Sequence, residues 1–163
     1  MRPKGLEFTK EQVEELDRIL NQLYWDTEAD SILLADTTGQ MISVAGQANI
    51  NTAAISAVAA GSLSATKEMA RLIGEQARFK LVLQEGDTRS VYLSDVGEEL
   101  VLITIFGKNT TIGLVRISTQ KAVEKFCGIV QVALKNPASS VDLYPEELAD
   151  ELNNSFDNLF GAS

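Results

Sequence analysis

The sequence predicts an α+β domain of five antiparallel strands and three helices, followed by a separate C-terminal segment. Two short apolar runs flank the turn at 37–40, three further strand-like runs follow one another between positions 79 and 106, and helical apolar spacing recurs in three longer stretches. Strands that follow each other through short turns form antiparallel pairs. With 163 residues, the chain is long enough for one domain with its own core.

The first helix is predicted to begin after Thr9. Thr9 and Gln12 match a capping box, in which each side chain binds the backbone N–H of the other residue. Apolar residues then recur at helical spacing until about Asp26. They are Val13, Leu16, Leu20, Leu23 and Tyr24.

The first two strands are predicted at 31–35 and 41–45, joined as a β-hairpin. The connecting residues Thr37-Thr38-Gly39-Gln40 include a glycine that can take the positive φ such turns require. The second helix is predicted from about Asn51 to Ile73, with Asn51 as N-cap and Gly74 as C-cap. Its predicted apolar stripe consists of Ile55, Val58, Ala59, Leu63, Met69, Ala70 and Ile73.

Three strands in series are predicted at 79–84, 90–94 and 99–106. The segments 85–87 and 95–97, which separate them, have the composition of turns. The third helix is predicted to run from about Ile112 to Leu134. Its apolar positions are Ile112, Val115, Ala122, Val123, Phe126, Ile129, Val130 and Ala133.

The chain divides into a domain at 1–135 and an acidic C-terminal linker and amphipathic helix at 136–163. Residues 136–140 (NPASS) have linker composition, and Pro145 suits the first turn of a last helix that runs to about Phe160. This segment holds six acidic residues and no Lys or Arg, so −6 of the net charge of −9 lies in it and −3 in the remainder.

Composition excludes several classes of function. A net charge of −9 disfavours nucleic acid as a partner. The chain has no His and one Cys, so no metal site, cofactor or nucleophilic catalytic pair is expected. No apolar stretch is long enough to span a bilayer, and the first residues lack a secretory pattern, so we expect a cytoplasmic protein. A carboxylate hydrolase using Asp36 and Asp95 is a minor alternative, since both residues suit turns.

The second helix lacks the charged outer face of an ordinary amphipathic helix. Positions 37–66 contain no Asp, Glu, Lys or Arg. Its outer positions are predicted to be small, which would let another backbone approach: Ala53, Ala57, Ala60, Gly61 and Ser64. This pattern favours a protein-binding or dimer face. The alternatives are a helix sandwiched within a larger core and a surface merely rich in small residues.

Two further features could carry function. The C-terminal segment has an apolar stripe that must be buried, either on its own domain or on a partner; it comprises Leu148, Leu152, Phe156, Leu159 and Phe160. An arginine finger for a partner nucleotide hydrolase is conceivable, although solvated arginines are commoner. The candidates are Arg71, Arg78, Arg89 and Arg116.

The order of the elements and three local segments resemble the roadblock/dynein-light-chain family, and within it the bacterial MglB group. The segments are SILLADTTGQMISVAGQ, AGSLSATKEMARLIGE and ELVLITIFGKNTTIGLVRI, and the ending Asp157–Phe160 (DNLF) is similar to the tails of that group. The resemblance spans about residues 10–160. It implies a five-stranded antiparallel sheet with a long helix on one face, two helices on the other and a C-terminal helical tail.

The resemblance also implies a function. It implies a homodimer, itself no enzyme, that binds an MglA-like Ras-like small GTPase of cell polarity and motility. It would stimulate GTP hydrolysis by repositioning the GTPase switch regions, and its C-terminal helix would promote nucleotide exchange. The implied contacts are Ala60, Ser64, Lys67, Glu68 and Arg71 on the second helix, with Leu152, Phe156, Leu159 and Phe160 in the tail. A non-catalytic roadblock scaffold or adaptor is the alternative.

One departure from the family pattern concerns this implied surface. Ser64 and Glu68 stand where the family often has Ala or Gly. A carboxylate at position 68 changes the footprint that the resemblance implies.

Overall fold

The structure is a computed structural model that describes residues 6–46, 49–76 and 80–136. Its elements in chain order are α1 (Lys10–Thr27), β1 (Ser31–Asp36), β2 (Met41–Gly46), α2 (Thr52–Leu72), β3 (Leu81–Glu85), β4 (Ser90–Val96), β5 (Leu100–Phe106) and α3 (Ile112–Lys135). The predicted order of three helices and five strands is confirmed.

The five strands form one antiparallel sheet in the order β2-β1-β5-β4-β3. β1 lies between β2 and β5, and Leu33 faces Val44 on one side and Ile103 on the other. α2 packs on one face of the sheet, whereas α1 and α3 pack on the other. The predicted fold class is therefore confirmed for the described residues.

Alternation along the central strands creates two cores. Ile32 and Leu34 of β1 point to the α1/α3 side, whereas Leu33 and Ala35 point to α2. All six residues of β1 are buried because helices cover both faces of the strand. The α1/α3 core contains large side chains such as Phe126, while α2 contributes mostly alanines and one leucine.

Local sequence signals explain where the helices begin and end. The capping box of α1 is present, because Gln12 N–H donates to Thr9 Oγ1 over 3.1 Å and Thr9 N–H to Gln12 Oε1 over 2.9 Å. α2 begins where the Asn51 side chain accepts from Ala54 N–H. It ends where Gly74, at a φ of 80°, reverses the chain.

The β1–β2 turn is fixed by a carboxylate and a glycine. Asp36 Oδ1 accepts hydrogen bonds from the N–H groups of Thr38 and Gln40 over 2.9 and 3.0 Å. Gly39 has a φ of 91°, and a Cβ there would lie 2.6 Å from the Cα of Ala57. Only glycine fits, because the turn touches the α2 backbone.

Some strand boundaries differ from the predicted ones. β3 begins at Leu81, while positions 77–79 lie outside the described residues. β5 begins at Leu100 because Gly97 and Glu98 both take positive φ, and Glu99 N–H bonds back to the Val96 carbonyl within the turn. The predicted linker and C-terminal helix lie outside the described residues from position 137 onward, so the division at 135/136 stays a prediction.

Candidate partner-binding surface

The outward face of α2 is apolar and uncovered by the described part of the chain. Val58, Met69 and Leu72 expose 72%, 56% and 69% of their surface. Between them lie small residues, and a Cβ added at Gly61 would meet no atom within 4 Å. We call this the α2 outward stripe, and it consists of Ala54, Val58, Gly61, Ala65, Met69 and Leu72. Clustered exposed apolar residues are typical of protein-binding surfaces.

The opposite face of α2 packs on the sheet through small side chains. Ala59, Leu63 and Ala70 are buried there together with Ser56. Ala59 and Leu63 contact the sheet cluster around Ile103. Small residues let the helix lie close to the strands, so a single helix covers this face.

Two sequence predictions about α2 were wrong. Val58, Met69 and Ile73 were assigned to one apolar stripe with Ala59, Leu63 and Ala70, but they are mainly exposed, whereas the latter three are buried. Ala60 was expected on the outer surface but is 6% exposed and belongs to the core beneath α2. The physical reason is that α2 carries apolar residues on both of its sides, so the helical period alone does not identify the buried side.

Three of the predicted contact residues lie together on one flank of α2. Ser64, Glu68 and Arg71 are exposed and one helical turn apart, beside the α2 outward stripe. Arg71 Nε lies 3.0 Å from both carboxylate oxygens of Glu68. This hydrogen bonding lowers the pKa of Glu68 and raises that of Arg71. The two side chains therefore present a paired, nearly neutral group at the margin of the stripe.

Lys67, another predicted contact residue, is engaged within the domain. Its Nζ lies 3.1 Å from Oδ1 of Asp95 at the end of β4, and the Asp95 side chain is 2% exposed. The other carboxylate oxygen accepts from Glu98 N–H over 3.3 Å. Lys67 thus anchors α2 to the β4–β5 turn. No local motif announces this pair, because the residues meet only in the folded sheet.

The edge strand β3 adjoins α2 and leaves one side of its backbone unpaired within the described chain. It pairs with β4 along Leu81–Glu85, and most of its residues are exposed. The opposite edge, β2, packs against α1, where the Ser43 hydroxyl donates to Asp17. Sequence reasoning identified β3 as a strand but not as an edge. A free edge beside an apolar helix face is a common site of strand addition.

The remaining predicted contacts, Leu152, Phe156, Leu159 and Phe160, lie outside the described residues, as does Arg78. Asp36 and Asp95, the minor catalytic candidates, have structural roles: Asp36 binds its own turn and Asp95 binds Lys67. Within 6–46, 49–76 and 80–136, no group of three His, Cys, Asp or Glu residues could hold a metal ion. No helix in those ranges has the length and apolar character needed to cross a bilayer.

Comparison with protein families matches residues 15–106 to the roadblock/LC7 domain. The chain belongs to the roadblock/LC7 family. Among solved structures it is similar to Myxococcus xanthus MglB, with 34% identity and a TM-score of 0.73 over 78% of this chain and 96% of that one. At this identity the resemblance to the MglB group is confirmed, and the chain is an MglB-like roadblock protein.

Two further structures support the fold. The gliding protein MglB from Thermus thermophilus has 23% identity and a TM-score of 0.72, covering 80% of this chain and 98% of that one. A structure described as MglB with a tetrameric arrangement has 22% identity and a TM-score of 0.74, covering 82% and 100%. Comparison with curated protein sequences gives no match.

Proposed function

We propose that this roadblock protein is a homodimeric regulator of an MglA-like Ras-like GTPase and stimulates GTP hydrolysis through surface contacts alone. The observation that carries the proposal is the α2 outward stripe, an exposed apolar face on a helix whose other side is fully occupied by the sheet. Similarity to Myxococcus xanthus MglB supports the choice of partner.

The proposed dimer forms through the β3 edge. Two β3 strands side by side would satisfy unpaired backbone groups and join two sheets into one. α2 lies on one face of the sheet and contacts β3 at the edge. Pairing of two β3 edges would therefore bring the two α2 helices together on the same face of the joined sheet. A joint surface of two outward stripes would offer a globular partner a wider contact than one helix does.

The proposed mechanism needs no catalytic side chain from this protein. Arg71, the arginine that lies on the α2 flank, already donates three hydrogen bonds to the Glu68 carboxylate, two from Nε and one from Nη2. Instead, the dimer would bind the hydrolysis-competent arrangement of the GTPase switches better than the incompetent one. A differential affinity of ~3 kcal/mol would raise the relative population of the competent arrangement by about 150-fold.

The apolar stripe of the C-terminal segment gives a second contact in this proposal. Leu152, Phe156, Leu159 and Phe160 would bind the GTPase away from its nucleotide site and accelerate nucleotide exchange. We expect Phe156→Asp to slow nucleotide release from the GTPase while leaving stimulated hydrolysis in place. Equal release rates with the wild-type protein and the variant would contradict this part.

A pair of helical glycines offers a matched test of the α2 surface. Gly61 in α2 and Gly128 in α3 are both exposed, and a Cβ at either would meet nothing within 4 Å. Gly61→Asp places a charge in the stripe and should weaken binding of the GTP-loaded GTPase at least tenfold, about 1.4 kcal/mol. Gly128→Asp should leave binding unchanged. Calorimetric titration measures both variants.

The nucleotide dependence of binding separates regulator from scaffold. Tighter binding of the GTP-loaded than of the GDP-loaded GTPase is expected of a regulator that selects switch conformations. Equal binding of both forms would favour the scaffold alternative, and equal affinity of the Gly61→Asp and Gly128→Asp variants would remove α2 from the interface.

A further inference from the structure

A groove lies between α3 and β3, on the face of the sheet opposite α2. It has a volume of about 430 Å³, and its apolar lining includes Leu81, Tyr92, Val123 and Cys127. Leu83 pairs with Tyr92 in the β3–β4 register, and Tyr92 belongs to the α1/α3 core, so Leu81 and Leu83 face the same side as α3. α3 stops short of β3, and both leucines are exposed. An apolar floor is thus left uncovered by the described chain.

The rim of this groove is basic. Arg116 and Lys80 line it, and its one carboxylate, Asp95, is buried and bound to Lys67. A second apolar groove, of about 460 Å³ along the seam of α1 and α3, has Glu11 and Glu15 against a single lysine, Lys125. Of these two grooves, the α3–β3 groove is the one whose charge suits an acidic apolar segment.

The chain carries such a segment directly after α3. Residues 136–163 contain six acidic side chains, no Lys or Arg, and an apolar stripe at helical spacing. We infer that residues 145–160 dock as a helix in the α3–β3 groove of their own chain. Leu148, Leu152 and Phe156 would cover the apolar floor. Carboxylates in the first half of the segment would lie toward Lys80, at the Cys127 end of the groove, and Asp157 would lie toward Arg116.

The connection between α3 and the docked helix is long enough. Residues 137–144 span up to about 28 Å when extended. Cys127 lies about 12 Å before the end of α3 along the helix axis, at 1.5 Å per residue. A helix over 145–160 is about 24 Å long, similar to the ~29 Å from Arg116 to Lys135. The segment can therefore return antiparallel to α3 and reach the whole groove.

This docking goes beyond the proposed function and holds without any GTPase. The stripe that contacts the groove is the same stripe proposed to contact the GTPase, so the two contacts exclude each other. In the docked state the apolar stripe is buried from water until a partner competes for it.

Cys127, the only cysteine of the chain, reports directly on this docking because it lines the groove. When full-length Leu152→Cys is treated with oxidised glutathione as the oxidant, the introduced thiol should form an intramolecular disulfide with Cys127. In Asn154→Cys, on the opposite side of the predicted helix, disulfide formation should be at least tenfold slower. Gel mobility without reductant and intact mass measure both. Equal rates, or bonds mainly between chains, would overturn the inference.

Alkylation of Cys127 gives an independent readout on the otherwise native chain. Phe156→Asp and Arg116→Glu should each raise the maleimide reaction rate of Cys127 several-fold because the groove opens. Asn154→Asp and Lys121→Glu, the matched controls, should leave the rate unchanged. Unchanged rates in both groove variants would overturn the docking, whereas GTPase assays test the proposed function separately.

Discussion

The two faces of the sheet are covered in different ways. α1 and α3 together cover one face, and their large side chains Leu16, Leu20 and Phe126 are completely buried. α2 covers the other face alone, largely through Ala59, Ala60 and Leu63. The two-helix layer buries its largest core side chains but also exposes Trp25, Ile117 and Val132, whereas α2 exposes a stripe of apolar and small residues along one whole side.

This difference indicates that the α1/α3 layer mainly determines the stability of the domain, whereas α2 provides its recognition surface. Large interlocking side chains in the α1/α3 layer contribute most of the apolar burial outside the sheet. The α2 layer is thin because mostly small residues pack on the sheet, and the outer side of the helix stays at the surface. Substitutions in the two layers should therefore affect different properties.

The largest effect on the free energy of unfolding is expected from removing a large side chain from the α1/α3 layer. Phe126→Ala removes a fully buried aromatic ring and should lower the free energy of unfolding by about 3–5 kcal/mol. Met69→Ala on the α2 outward stripe should change it by less than about 0.5 kcal/mol. Urea unfolding at low protein concentration measures both. Similar losses in the two variants would contradict the division between layers.

A smaller loss is expected where α2 is anchored to the sheet. Lys67→Met leaves the buried carboxylate of Asp95 without its cation and should cost about 1–3 kcal/mol of unfolding free energy. The double variant Lys67→Met/Asp95→Asn should recover part of that loss. Additive effects of the two single substitutions would show that the pair is not coupled.

The two edges of the sheet should differ in association rather than in folding. Leu83 on β3 and Val44 on β2 have similar exposure, 38% and 37%. Leu83→Arg should raise the dimer dissociation constant at least about tenfold, equivalent to ~1.4 kcal/mol, since it places charge at the proposed contact. Val44→Arg should leave association unchanged. Sedimentation equilibrium measures both; a dimer weakened by Val44→Arg instead would assign the interface to β2.

The smallest effect concerns the exposed pair on the α2 flank. Hydrogen bonding to Arg71 lowers the pKa of Glu68 below 4.5. The contribution of the pair is therefore present above pH 4.5 and is lost as the pH falls through the lowered value. Arg71→Ala should return the pKa of Glu68 toward 4.5, as measured by NMR titration of its carboxyl carbon. Lys121→Ala should not move it.

The parts of the fold set by neighbouring residues were predictable from sequence. The α1 capping box and the turn at Gly39 depend on residues within a few positions of each other. The faces of α2 were not predictable, because both sides carry apolar residues and only packing against the sheet decides which side is buried. For that reason Ala60 was placed on the outer surface and Val58 in the same stripe as the core residues, whereas Ala60 is buried and Val58 is exposed.

The candidate surface was predictable in its location but not in its detail. The uncharged stretch at 37–66 predicted an α2 without a charged outer face; the outward stripe is uncharged, but Glu68 and Arg71 are exposed beside it. The link between Lys67 and Asp95 and the edge position of β3 depend on long-range strand pairing that no local pattern contains.

GTP turnover by the cognate MglA-like GTPase tests the central claim most directly. With this protein at saturating concentration, we expect the maximal hydrolysis rate to rise well above the intrinsic rate. Arg71→Ala should require more protein to reach saturation yet retain most of that maximal rate, because no side chain acts on GTP. Turnover that stays at the intrinsic rate, or a maximal rate abolished by Arg71→Ala, would contradict the account.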